Sequence, residues 1–128
     1  MNSFLIIDDD DIFNSIFTKT VSLVDASAEV VSLESSREGL NYIIGLQEEN
    51  QSMPRFVFID INMPEMTGFE MIEKVAEQAP SAFTNSDCYI LSTSLDERDI
   101  QRANKYSFIK GFKSKPLSLS TLREIIGA

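Results

Sequence analysis

Short apolar, β-branched runs alternate strictly with longer stretches whose apolar residues recur every three or four positions, and this alternation constrains the fold more than any other feature. The runs are Phe4-Leu5-Ile6-Ile7, Glu29-Val30-Val31-Ser32-Leu33, Phe56-Val57-Phe58-Ile59, Tyr89-Ile90-Leu91 and a weaker one over residues 109–113. Between them lie helical stripes: Ile12, Phe13, Ile16, Phe17, Thr20, Val24, then Leu40, Ile43, Ile44, then Phe69, Ile72, Val75, Ala76. Ile100 and Ala103 suggest a fourth helix opened by Asp96, and Leu119, Leu122, Ile125 and Ile126 a fifth opened by Ser118 or Ser120. Alternation of this kind predicts βαβ units, hence an α/β fold with a five-stranded parallel sheet. A run as continuously apolar as 56–59 predicts burial on both sheet faces, with helices on each side. No repeat, low-complexity tract or Pro/Gly/Ser linker interrupts the pattern, so residues 1–128 read as one domain.

Composition narrows the chemistry. With no histidine, the chain cannot run Ser-His-Asp or Cys-His catalysis, cannot ligate zinc through imidazole and cannot itself carry a phosphohistidine. Active chemistry must rest on carboxylates, hydroxyls and lysine. The lone Cys88 cannot form an internal disulfide, and the apolar run near the start lacks a basic flank and the length of a signal peptide or membrane span. These features predict a soluble protein of a reducing compartment, by default the cytoplasm. The net charge of −9 argues against general nucleic-acid binding and is unevenly spread. Residues 1–97 hold 4 Lys/Arg against 18 Asp/Glu, whereas residues 98–128 hold 7 against 2.

In an open parallel sheet, ligands bind outside the carboxyl ends of the strands, so the residues that follow each run matter most. The first run leads into Asp8-Asp9-Asp10-Asp11, the third into Asp60, the fourth into Ser92-Thr93 and the fifth into Lys115-Pro116. Taken singly, each has an ordinary explanation as a cap, a turn hydroxyl or a solvated lysine, and for Asp10 and Asp11 a helix cap is the preferred one. Four such groups at four strand ends form a pattern that chance does not supply.

Across essentially the whole chain, that pattern resembles the receiver domain of two-component response regulators. The resemblance is carried by the acidic pair after the first strand, by Asp60-Ile61-Asn62-Met63-Pro64-Glu65-Met66-Thr67-Gly68, by Leu91-Ser92-Thr93, and by Gly111-Phe112-Lys113-Ser114-Lys115-Pro116. It implies a flavodoxin-like doubly wound (βα)5 fold with strand order 2-1-3-4-5. It also implies that Asp60 is the phosphoacceptor, a carboxylate whose ordinary pKa of about 3.9 leaves it ionised and nucleophilic at neutral pH. Mg2+, with Mn2+ as the alternative, would be held by Asp9, Asp60 and the backbone carbonyl of Asn62, with Asp8 acting through water. Lys115, after which the family has a cis proline bond, would pair with a phosphoryl oxygen and Asp60, Ser92 would donate its hydroxyl, and Thr93 its backbone N–H.

The output implied is conformational. Phosphorylation would draw Ser92 inward, free space for Phe112 and reshape the face made by the fourth helix, fifth strand and fifth helix. That face carries Arg98, Arg102, Lys105, Lys110, Lys113 and Arg123, so its protein target is expected to be acidic. A sensor histidine kinase or histidine phosphotransfer protein would supply the phosphoryl group, and no nucleic acid or membrane would be bound directly. The chain would promote its own phosphorylation and dephosphorylation without turning over a separate substrate. Asn62 and Ser94 stand where the family tunes hydrolysis of the phosphoryl group. Asn62 also disfavours a magnesium-dependent aspartyl phosphatase, which would want a second Asp there, and the aspartates after the first strand exclude a glycine-rich nucleotide loop. The stretches 45–55 and 78–87 read as long connections at the opposite rim. A stand-alone receiver is the favoured reading, and a receiver cut from a larger regulator with a DNA-binding or enzymatic output domain the alternative.

Overall fold

Each apolar run is too short for a helix and too apolar for a surface loop, and each becomes a strand: β1 (Ser3–Ile7), β2 (Glu29–Leu33), β3 (Phe56–Asp60), β4 (Asp87–Ser92) and β5 (Ile109–Ser114). The helices between and after them are α1 (Asp11–Val24), α2 (Ser36–Glu48), α3 (Gly68–Gln78), α4 (Glu97–Ala103) and α5 (Leu119–Ile126). This computed structural model describes residues 2–127, so the outermost residues of the expected 1–128 domain, Met1 and Ala128, lie outside the described residues. All strand pairs are parallel, in the order β2-β1-β3-β4-β5. This is the flavodoxin-like order that the resemblance implies.

Burial follows position in the sheet. Central β3 is buried at every residue, while the edge strands β2 and β5 have no fully buried residue. Burial on both faces therefore holds for β3 and fails for β2, whose solvated edge carries Glu29 and Ser32. Because side chains alternate along a strand, Phe4 and Ile6 enter the core under α1 and α5, while Leu5 and Ile7 enter the core under α2 and α3. The first of these cores is aromatic: Phe4, Phe17, Phe56 and Phe58 pack with ring centroids 5.0–6.5 Å apart.

Every helix starts at a side-chain cap, namely Asp10, Ser35, Thr67, Asp96 and Ser118. Thr67 and Glu70 complete a capping box that fixes where α3 begins. Ser118, not Ser120, opens α5.

Three expectations need correction. The apolar residues of α1 form two stripes, not one: Phe13, Phe17 and Val21 are buried, but Ile12 and Ile16 are 70% and 55% exposed. A helix carrying apolar residues at both 12/16 and 13/17 spans more of its circumference than one sheet face can cover. On α3, Met71 takes the buried place and Ala76 faces solvent. The long connection expected over 45–55 is shorter, because α2 runs on through Glu48. Residues 79–86 form a turn-rich connection at the amino ends of the strands, beside a cleft of about 550 Å³ lined by Val75, Ala79, Phe83, Ser86 and Phe108.

Candidate phosphoacceptor site

Strands β1 and β3 are neighbours with Ile7 opposite Ile59, so the residues that follow each pair lie side by side at the carboxyl rim. Asp60 ends β3 and is 4% exposed; Asp8 follows β1 and is fully buried; Asp9 is exposed. Ligand oxygens of these three carboxylates lie within 4.8 Å of one another. Lys115 comes in from the end of β5, after which the Lys115–Pro116 bond is cis, and its backbone N–H donates to the Ser92 carbonyl at 2.9 Å. Its Nζ is 2.8 Å from Asp8 Oδ2 and 4.0 Å from Asp60 Oδ1. The lysine thus rests closer to Asp8 than to Asp60, the partner implied by the resemblance.

The acidic run divides its labour. Asp8 Oδ1 accepts from the Asp10 N–H at 2.9 Å, and the Asp10 carboxylate accepts from the N–H groups of Ile12 and Phe13 at 3.1 Å. Asp10 and Asp11 are therefore the cap and first turn of α1, as the ordinary reading has it, which leaves Asp8 and Asp9 for the cluster. The Asn14 amide, buried one turn on, donates to the Asp8 carbonyl at 2.9 Å and anchors the loop.

The loop after Asp60 is held as firmly. Ile61 N–H donates to the Leu91 carbonyl, Gly68 N–H donates to the Ile61 carbonyl, and the buried Ser36 hydroxyl donates to the Met66 carbonyl at 2.7 Å. Gly68 is obligatory here, because a Cβ at this position would collide with the Asp60 carbonyl oxygen. Glu65 holds a left-handed conformation with φ of 68° within the same loop.

Electrostatics set the protonation states. Burial, then the charges of Asp8 and Asp9, push the Asp60 carboxyl up to about 7, against the opposing pull of Lys115 and the Asn62 N–H. Without a cation, Asp60 is therefore harder to ionise than an ordinary carboxylate. Burial alone would lower the Lys115 pKa, but its close contact with the Asp8 carboxylate and the charges of Asp60, Asp8 and Asp10 leave it raised, so it is a full cation.

Ser92 is buried at the end of β4, and its Oγ accepts from the Ser94 N–H at 3.2 Å. Thr93 and Asn62 are exposed on flanking loops. Phe112 lies half-buried against the core under α2 and α3. Phe13, Asn14 and Ser36 were not legible as site residues. Phe13 reads as one of many core aromatics, and the partners of Asn14 and Ser36 become visible only once the chain is folded.

The chain matches the model of the response regulator receiver domain over residues 4–127. It belongs to that family. A two-component response regulator from Cytophaga hutchinsonii superposes with a TM-score of 0.88 at 30% identity, covering 99% of this chain and 95% of that one. The chemotaxis protein CheY4 of Vibrio cholerae gives a TM-score of 0.77 at 27% identity, covering 99% and 97%. Among curated proteins, the chain is 20% identical to the probable methanogenesis regulatory protein FilR2 of Methanothrix harundinacea, over 95% of this chain and 77% of that protein. A second, an uncharacterized response regulatory protein of Vibrio vulnificus, is 36% identical over 39% of this chain and 21% of its own length. As a receiver domain, the chain is a signalling module of two-component systems, a family that works with histidine kinases or phosphotransfer proteins. Among its described residues, no helix is long and apolar enough to cross a membrane.

Proposed function

We propose that this receiver is a phosphoacceptor in a two-component phosphorelay, with Asp60 as the acceptor. The observation that carries the reading is a buried carboxylate at the end of β3, with two further carboxylates and a lysine ammonium around it. In the reaction, an Asp60 oxygen forms a bond to phosphorus as the bond from phosphorus to the imidazole nitrogen of the donor breaks. The imidazole leaves with the electron pair and takes up a proton, and an aspartyl phosphate remains. Lys115 is placed to meet the charge that spreads onto the phosphoryl oxygens, and the Ser92 hydroxyl to turn from the Ser94 N–H and donate to another.

The donor set fits a hard divalent cation. Asp8, Asp9, Asp60 and the Asn62 carbonyl offer only oxygen, and Asp8 Oδ2 has Lys115 beside it but no well-aligned hydrogen bond. Mg2+ bound there would offset the clustered negative charge and polarise the phosphoryl oxygens. The exposed Ile12 and Ile16 border a small cleft that also contains Lys115 and Pro116, an apolar landing beside the acceptor for the phosphodonor protein. The output face is α4, β5 and α5, its protein target is acidic, and the chain acts as a single cytoplasmic receiver domain.

The test is incubation with acetyl phosphate and Mg2+ followed by intact mass. Addition of one phosphoryl group to the wild type and none to Asp60→Asn supports the reading. No addition to the wild type, or equal addition to the variant, overturns it. Neutralising Lys110 and Lys113 should weaken target binding at low salt, and unchanged affinity would remove the acidic-target assignment.

A further inference from the structure

The Lys115 ammonium has a neighbour that the acceptor chemistry does not require: it lies 4.6 Å from the centroid of the Phe13 ring. The lysine side chain is 10% exposed and Phe13 is 8% exposed, so the contact is shielded from water, where attraction between a cation and the negative face of an aromatic ring is strongest. Phe13 lies in the first turn of α1, and its backbone N–H is bound by the capping Asp10 carboxylate at 3.1 Å. The ring is therefore fixed to the same turn that follows Asp8 and Asp9.

We propose that Phe13 is a positioning residue that holds the Lys115 ammonium between Asp8 and Asp60 through the face of its ring. The inference rests on the phosphoacceptor reading for its consequence but not for its geometry. With the ring against it, the ammonium lies 2.8 Å from Asp8 Oδ2 and 4.0 Å from Asp60 Oδ1. A further carboxylate would hold the ammonium more tightly, yet it would neutralise the charge that an arriving phosphoryl oxygen needs. A ring attracts the cation without neutralising it, and it leaves N–H donors free to turn towards that oxygen. An aliphatic side chain of similar size would fill the space and lack the attraction.

The test compares Phe13→Leu, which keeps apolar bulk, with Phe13→Tyr, which keeps the ring face. With acetyl phosphate and saturating Mg2+, Phe13→Leu should lower the rate constant of phosphoryl addition about fivefold, and Phe13→Tyr should stay within about twofold of wild type. In a Lys115→Ala background, Phe13→Leu should change the remaining rate by less than about twofold. Equal rates for wild type and Phe13→Leu, a Phe13→Tyr as slow as Phe13→Leu, or a fivefold effect that persists without Lys115 would each overturn the proposal. A second measurement needs neither a folded Phe13 variant nor an active protein. The Lys115 ε-methylene protons, assigned by their loss in Lys115→Ala, should be shifted upfield of the other lysines by the ring current. An unshifted resonance overturns the proposal even where phosphorylation proceeds. A shifted one in a wild type that takes no phosphoryl group upholds the Phe13 contact while the acceptor reading falls.

Discussion

The two rims of the sheet are made by the same five strands and are built on opposite terms. At the carboxyl rim, Asp8, Asp60 and Ser92 are buried and one lysine compensates two buried carboxylates. At the amino rim, residues 79–86 cover the strand starts with apolar contacts: Phe83 is buried and stacks on Phe108 at 4.7 Å, and the buried Ser86 hydroxyl donates to the Pro54 carbonyl at 2.7 Å. Buried carboxylates that outnumber their cations destabilise a fold, whereas stacked rings and satisfied hydroxyls stabilise it. On these terms the amino rim favours the fold, and the carboxyl rim, where the proposed phosphoacceptor site lies, opposes it.

The largest expected effect separates the rims by function. Asp60→Asn should abolish phosphoryl addition while raising the denaturation midpoint at pH 8 without metal, because it removes a buried charge and keeps the shape. A variant that lost stability would show that Asp60 supports the fold, and the contrast would fail. The matching change at the other rim is Phe83→Ala, which should cost about 3–4 kcal/mol in chemical denaturation. Its rate of phosphoryl addition per folded molecule should stay within about twofold of wild type. A large loss of rate would mean that the amino rim is coupled to the acceptor.

A third pair of variants tests the bracing of the acceptor loop. Gly68→Ala should cost about 2–3 kcal/mol and slow phosphoryl addition, because its Cβ meets the Asp60 carbonyl. Gly45→Ala, with nothing near its Cβ towards the carboxyl end of α2, should instead stabilise by about 0.5–1 kcal/mol. Two glycines of one chain would then answer the same substitution with opposite signs, and thermal melts would read the difference.

Much of this contrast was legible before folding, and the limits follow from what kind of signal each residue carries. The strands and caps rest on local periodicity and on side chains that bond their own backbone neighbours, so the caps at Asp10 and Asp96 could be read directly and that of α5 narrowed to Ser118 or Ser120. Asp8, Asp9, Asp60 and Lys115 could be assembled because parallel topology gathers strand ends at one rim. Ile12 and Ile16 were misplaced because helical spacing marks an apolar stripe without saying which of two adjoining stripes meets the sheet. Phe13 beneath Lys115, Asn14 on the Asp8 carbonyl and Ser36 on the Met66 carbonyl are contacts between separate elements, with no periodic signature. The perturbed Asp60 was illegible for the same reason: its pKa depends on burial and on neighbours from two other strand ends.

The last effect is a pH dependence that belongs to the carboxyl rim alone. Asp60 titrates near 3.8 in the unfolded chain and at about 7 in the folded one, so the folded state binds the extra proton between those values. A carboxyl raised in this way favours folding at low pH, and its contribution is lost as pH rises from about 4 through 7. In metal-free buffer, the stability of the wild type relative to Asp60→Asn should therefore fall by something on the order of 2 kcal/mol over that range. The difference between the two proteins isolates this group from every other titration, which both share. Adding Mg2+ at pH 7 should raise the wild type by preferential binding to the folded state and leave Asp60→Asn less affected. Chemical denaturation at pH 4, 5.5 and 7 measures the slope. A flat difference would mean that Asp60 ionises freely in the bare protein, and the amino rim would then lose its claim to be the more stable end.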